Sequence, residues 1–176
     1  MQDKILEGYT KDFATQFGFL EVESSVLFTQ FANYCVLSRL TAESVDLDDV
    51  NVDGGADTGI DGLAIIVDGH VVTTAEDVDF FRDTLHRLDV EFVFIQAKSS
   101  PHFSAAAIGN FLFGVRSFFD DTSTTPMNPA VKAARNLKDY IYGLSIHMER
   151  SPKCSMAYVC SGEWHNDATL KARSDT

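Results

Sequence analysis

Apolar positions along the chain repeat at two spacings, about 3.6 residues on a helix face and 2 on a strand face. Residues 3–17 have helical periodicity, with Ile5, Leu6, Tyr9, Phe13 and Phe17 on one side. A second helix fits residues 24–40, with Ser24 or Ser25 as its N-cap and a stripe of Leu27, Phe28, Phe31, Tyr34, Cys35 and Leu40. VDLDDVNVDGGADTGIDG then forms an Asp- and Gly-rich turn region. LAIIVDGHVVTT is a hairpin turning at Asp68-Gly69, and AEDVDFFRDTLHRLD is a helix with acidic residues in its first turn. EFVFIQAK is buried-strand sequence. A mostly buried helix capped by Ser104 spans 104–119, the polar loop DDTSTTPMNP follows, and another helix occupies 129–146. CSMAYVC is a further apolar strand, after which SGEWHND turns into a short helix.

Strands separated by helices predict an α/β domain, a mixed β-sheet flanked by helices. Residues 1–176 form one domain on this reading, with a helical part at about 1–45 and an α/β core at about 46–165. The length suits one domain of ordinary size. The chain ends in polar DATLKARSDT just after a strand, so a fragment of a longer protein is expected.

Composition narrows the function classes. The hydrophobic fraction is 45% with 14 Phe, enough for a real core. No run approaches the ~20 apolar residues of a membrane span, and the N-terminus lacks the pattern of a secretory signal. Cys35, Cys154 and Cys160 match no zinc or disulfide framework, so a reduced, cytoplasmic protein is expected. The net charge of -12 argues against a general nucleic-acid coat. Residues 1–97 hold 5 Lys+Arg against 19 Asp+Glu, while 98–176 hold 9 against 7. The first part suits a cation site and the second suits phosphate contacts, although plain solvated helices give the same imbalance.

The residues that point most firmly to chemistry are Gly59-Ile60-Asp61-Gly62, opening one strand, and Ile95-Gln96-Ala97-Lys98, closing another. Alternation puts Gln96 and Lys98 on one face, and if the strands are neighbours Asp61 meets them at a sheet edge. A carboxylate and an amide oxygen are hard ligands suited to Mg²⁺ or Mn²⁺. Lys98 supplies a positive charge beside a phosphate or orients the attacking water. Singly, Lys98 also reads as a chain snorkelling to solvent, Gln96 as a partner for buried backbone, and Asp61 as a turn former. Their joint order is the specific signal.

Weaker signals surround this one. Asp49, Asn51, Asp53, Gly54 and Asp57 follow part of a calcium-loop pattern, which fails where Ile60 replaces the closing Glu. Asp57, four residues before Asp61, is a further candidate ligand or a solvated turn. Ser99 and Ser100 are candidates for phosphate contact or for capping. Lys132, Arg135 and Lys138, spaced by three, form a candidate phosphate-contacting helix face or a solvated one. His86, His102 and His147 have no zinc spacing, Cys154 and Cys160 read as core residues of one strand face, and Phe111, Phe113, Phe118 and Phe119 read as core aromatics.

GGADTGIDGLAIIVDG, FIQAKSS and IGNFLFGV together resemble the N-terminal region of the abortive infection phage resistance (AIPR) proteins. More distantly, GID followed by Q-x-K is similar to the Mrr-type branch of the PD-(D/E)XK nucleases. The resemblance covers most of residues 25–165 and is sharpest at 53–69 and 92–115. It implies a restriction-endonuclease-like fold, divalent-metal cleavage of DNA and a role in bacterial defence against phage. By position, Asp61 matches the motif Asp, Gln96 the variable Asp/Glu/Gln and Lys98 the Lys. The sequence departs from the family twice. Gln96 stands where many members carry a carboxylate, and the preceding helix carries Gln30, or Glu23 at its start, where a Glu is usual. The expected substrate is DNA and the expected cofactor Mg²⁺ or Mn²⁺. A homodimer is left open and no membrane is expected. The rival reading is a catalytically inactive module of the same fold that binds DNA or a protein partner.

Overall fold

A computed structural model describes residues 3–55 and 59–162 of the chain. Two helices come first, α1 (Lys4–Phe17) and α2 (Ser24–Leu37). A short helix, α3 (Leu47–Val50), leads to the hairpin of β1 (Gly62–Val67) and β2 (His70–Val72). Then follow α4 (Ala75–Leu85), β3 (Val90–Lys98), α5 (Ala105–Phe119), α6 (Pro129–Gly143) and β4 (Lys153–Cys160). The four strands form one mixed sheet in the order β2-β1-β3-β4. β1 is antiparallel to β2 and β3, and β4 is parallel to β3. The chain is therefore an α/β protein.

Side-chain alternation sorts the sheet into two faces. Leu63, Ile65, Val67, Phe92 and Phe94 meet Val78 of α4, Phe111 and Phe118 of α5, and Val131 and Ile141 of α6 in one core. Ala64, Ile66, Val93 and Ile95 meet Phe13 of α1, Leu37 of α2, and Leu47 and Val50 of α3 in another. The result is three layers, with α1–α3 on one side of the sheet and α4–α6 on the other. β1 reads GLAIIV without polar alternation because it is buried on both faces.

Local chemistry accounts for the element ends. Asp68 and Gly69 both take positive φ, 51° and 87°, as the tight turn of the hairpin requires. Asn128 caps α6, and Ser104 caps α5 by accepting from the Ala107 amide. At the start of α4, Thr74 Oγ1 accepts from Asp77 N at 3.2 Å while Asp77 Oδ2 accepts from Thr74 N at 2.9 Å. This reciprocal cap satisfies two amides that the helix leaves bare. Thr74→Ala is expected to lower stability by about 1 kcal/mol in urea unfolding. An unchanged midpoint would show that the cap contributes nothing.

Several expectations need correction. Of the expected α1 side, Phe13 is buried and Leu6 and Phe17 are partly buried, but Ile5 and Tyr9 are exposed and Thr10 and Ala14 are buried in their place, because the side of α1 around Phe13 meets α2. Neither Ser24 nor Ser25 caps α2. Glu23 is the N-cap residue, and Ser25 donates to its carboxylate at 2.9 Å. The buried side of α2 is Phe28, Thr29, Gln30, Ala32, Asn33 and Leu37, not a purely apolar stripe. Helix α4 stops at Leu85, where His86 turns left-handed, and Leu88 bridges Met148 to set up the β3–β4 pair. Cys154 is exposed and Cys160 half-buried, since β4 lies at the sheet edge. Phe113 is also exposed, unlike Phe111 and Phe118. The helix expected after SGEWHND lies outside the described residues. No helix among the described residues is long and apolar enough to cross a membrane.

Candidate metal centre

The site forms where the lead-in to β1 meets the end of β3. The register pairs Gly62 with Ile95, so Asp61 falls opposite the Gln96 step. Asp61 N donates to Ile95 O at 2.9 Å, and Val52 N donates to Asp61 O at 3.1 Å. These two bonds hold the Asp61 backbone between β3 and the strand-like residue Val52. They close the base of the Gly-rich loop.

The side chains converge on a single oxygen. Gln96 Nε2 donates to Asp61 Oδ2 at 2.6 Å, Ala97 N donates to the same oxygen at 2.8 Å, and Lys98 Nζ stands 3.9 Å from it. Asp61 and Gln96 are buried, whereas the Lys98 side chain is 43% exposed. Burial pushes the Asp61 carboxyl above the usual carboxylate range. The Ala97 amide, the Lys98 charge and the Gln96 amide oppose that rise, and the charge of Asp53 adds to it. The order of parts that singled out Asp61, Gln96 and Lys98 in sequence therefore corresponds to one cluster.

Two glycines make room for it. Gly59 has φ +77°, and a Cβ there would stand 3.0 Å from Gln96 Oε1. A Cβ on Gly62 would stand 2.2 Å from Asn33 Oδ1. Gly62 thus lets α2 approach the strand directly after Asp61. Asn33 is fully buried on α2, and its Nδ2 and Oδ1 have no hydrogen-bond partner among the described residues. Sequence reasoning missed both Asn33 and the proximity of Asp53. The signal for Asn33 was a second polar residue three positions after Gln30 on an otherwise apolar helix.

The other candidates separate from the cluster. Gln30 is buried on α2, which packs with Ala97 against the opposite face of the sheet from Gln96, and its Oε1 has no partner among the described residues. Glu23 is exposed at the start of α2, where its carboxylate holds Ser25. Asp57 lies outside the described residues. Ser99 and Ser100 are exposed. The Ser99 carbonyl accepts from Ser161 Oγ at 2.8 Å, and the Ser100 hydroxyl accepts from His102 N at 3.2 Å, so both serve the strand exit. The expected basic face of α6 is not presented to solvent as a whole. Lys138 is 1% exposed and pairs with Asp121 at 2.9 Å and Asp139 at 2.8 Å. Arg135 bonds the Asp120 carbonyl, and Lys132 alone of the three is exposed. The calcium-loop pattern also dissolves. Asp49 lies in α3 and Asn51 Oδ1 accepts from Asp53 N at 3.2 Å, so the ligand positions do not form one loop between two helices.

The donor set fits a hard cation in part. Asp61 offers a carboxylate and Gln96 an amide oxygen, and no group of three or more His, Cys, Asp or Glu gathers among the described residues. Mg²⁺ characteristically uses one or two protein oxygens and completes its shell with water and substrate phosphate, so a two-residue set is chemically adequate. Compared with known protein families, curated proteins and solved structures, the chain matches none.

Proposed function

We propose that this chain is a metal-dependent DNA endonuclease domain of the PD-(D/E)XK type from a bacterial phage-defence protein. The observation that carries this reading is the convergence of Gln96, Ala97 and Lys98 on one oxygen of the buried Asp61. A buried carboxylate raised by desolvation, with a cation beside it at the ends of the two central strands, has the character of a working site. Asp61 and Gln96 would hold Mg²⁺ or Mn²⁺. A bound divalent ion lowers the pKa of its water and offsets charge on a phosphate. Lys98, half-exposed next to the carboxylate, would hold a nonbridging phosphate oxygen and orient the attacking water, whose oxygen bonds to phosphorus as the sugar oxygen leaves. The cysteines are unpaired, in keeping with a reduced cytoplasm.

The test is plasmid nicking with Mg²⁺ or Mn²⁺. Lys98→Ala is expected to cut about 10²-fold more slowly than the parent. Equal cutting by parent and variant would remove Lys98 from the mechanism. One observation favours the inactive module as a second reading: Gln96 faces Asp61 with its amide N–H, which neutralises the carboxylate's field instead of adding an oxygen donor. Under that reading DNA or a protein partner is bound, and no variant alters a background cutting rate.

A further inference from the structure

Strand β2 forms one edge of the sheet, on the far side of β1 from β3. Asp68 and Gly69, both at positive φ, make a two-residue hairpin loop, which closes with a hydrogen-bonded pair, Val67 with His70. Bonded and non-bonded pairs alternate along an antiparallel ladder, so Val71, opposite Ile66, turns its N–H and C=O away from β1. Beyond it, Thr73 N and Thr74 N are taken by Asp77 Oδ2 at 3.1 and 2.9 Å. Val71 therefore presents a main-chain donor and acceptor on the outer side of the sheet, which is where an added strand would pair.

A groove follows this edge. Val71 lines three clefts in succession. The first lies between Asp49 and the apolar Val52 and Leu137. The second shares Asp49 and Thr73 with it and adds Asp46. The third, of about 620 Å³, shares Asp77 with the second and is walled by Glu43, Glu76, Phe80 and Phe81. Phe80 is 62% exposed and stands edge-on to Phe81, with ring centroids 5.4 Å apart and planes at 81°. Phe81 in turn stacks on His70 at 4.9 Å, and Glu43 fixes that imidazole at 2.7 Å. An open aromatic face beside carboxylates attracts a guanidinium or ammonium group, which can lie over the ring while it bonds an acid. Side chains of an added strand alternate between the α3 side, where Asp46 and Asp49 wait, and the α4 side, where Glu76 and Phe80 do. We infer that the β2 edge binds an extended, arginine-rich segment of a partner protein, paired to Val71 through its main chain and held by its basic side chains. The site is separate from the Asp61 cluster and does not depend on the nuclease reading.

The test titrates the full ¹⁵N-labelled chain with a blocked heptapeptide of alternating arginine and valine, at about 50 mM NaCl. Binding that moves the Val71 amide resonance is the expected result. Methylating the central main-chain nitrogens of the peptide keeps its charge but removes ladder donors, and should weaken binding about 10-fold. Phe80→Ala should weaken it about 3- to 10-fold. Glu76→Gln with Asp49→Asn should weaken it by about 10-fold and flatten its salt dependence; both side chains are exposed, so the melting temperature should stay where it was. No binding up to about 1 mM peptide, binding that leaves Val71 unmoved, or equal binding of the methylated peptide or of one with glutamate in place of arginine overturns the inference. A synthetic peptide of residues 163–176 that binds this edge more tightly than the arginine peptide would give the groove to the chain's own end. Dimerisation of the chain that the arginine peptide blocks would give it to a second copy. Either result also overturns the inference.

Discussion

Asp61→Asn is expected to abolish the proposed cutting, by about 10³-fold or more, while making the folded chain more stable at neutral pH. The two effects have one origin. Asp61 is buried, and desolvation raises its carboxyl in the folded chain against the opposing pull of Ala97, Lys98 and Gln96. A group raised on folding contributes stability that is present below the ordinary carboxylate range and is lost as pH rises through the raised value. At pH 7 the ionised carboxylate therefore weighs against the fold. Asparagine keeps an oxygen that accepts from Ala97 N and Gln96 Nε2, and it carries no charge to desolvate. Thermal melts should place the variant several degrees above the parent at pH 7, with the gap closing in acid. Mg²⁺ should raise the melting temperature of the parent and leave that of the variant where it was. A variant that melts below the parent at neutral pH would mean that the Asp61 charge is stabilised in the fold, contrary to its environment.

Gly62→Ala is expected to cost about 1–3 kcal/mol and, on the proposed nuclease reading, to lower the cutting rate with it. The new methyl would stand 2.2 Å from Asn33 Oδ1 and 2.8 Å from Asn33 Cγ. Asn33 has no exposed surface into which to swing, so either α2 or the start of β1 must move, and the latter carries Asp61. Adding Asn33→Ala should restore most of the loss, because it opens the space and removes two buried polar atoms that have no partner among the described residues. A double variant as unstable as the sum of the two single ones would show that the strain lies elsewhere. The comparison also separates a packing role for Asn33 from a chemical one. If Asn33→Ala alone keeps its stability but loses cutting, the amide acts on the site.

Much of the architecture was legible in residue patterns, since local rules govern it. The hairpin at Asp68-Gly69 follows from a turn that needs two positive φ values. The buried strand EFVFIQAK, which the structure extends by Val90, and the α5 helix follow from period and capping. The α1 and α2 faces were less legible. Ile5 and Tyr9 stay exposed although Leu6, Phe13 and Phe17 of the same expected side pack, while Gln30 and Asn33 go inside with the packed face of α2. A periodic stripe tells which residues share a side, and only the partner surface decides which side is covered.

The site divides along the same line. Sequence by itself determined the trio Asp61, Gln96 and Lys98, because strand alternation and the order of a Gly-rich lead-in and a Gln-x-Lys strand end are properties of adjacent residues. It also determined an α/β layered fold, through alternating helix and strand periods. Tertiary structure alone decided that β1 and β3 are neighbours, that Gln96 turns its amide N–H to Asp61, and that α2 comes close enough to require Gly62. It likewise decided that Lys138 lies buried among aspartates instead of facing a phosphate. The reason is that pairing, close approach and burial depend on residues far apart in the chain. A charge or a glycine carries no mark of which distant group it will meet once the layers pack.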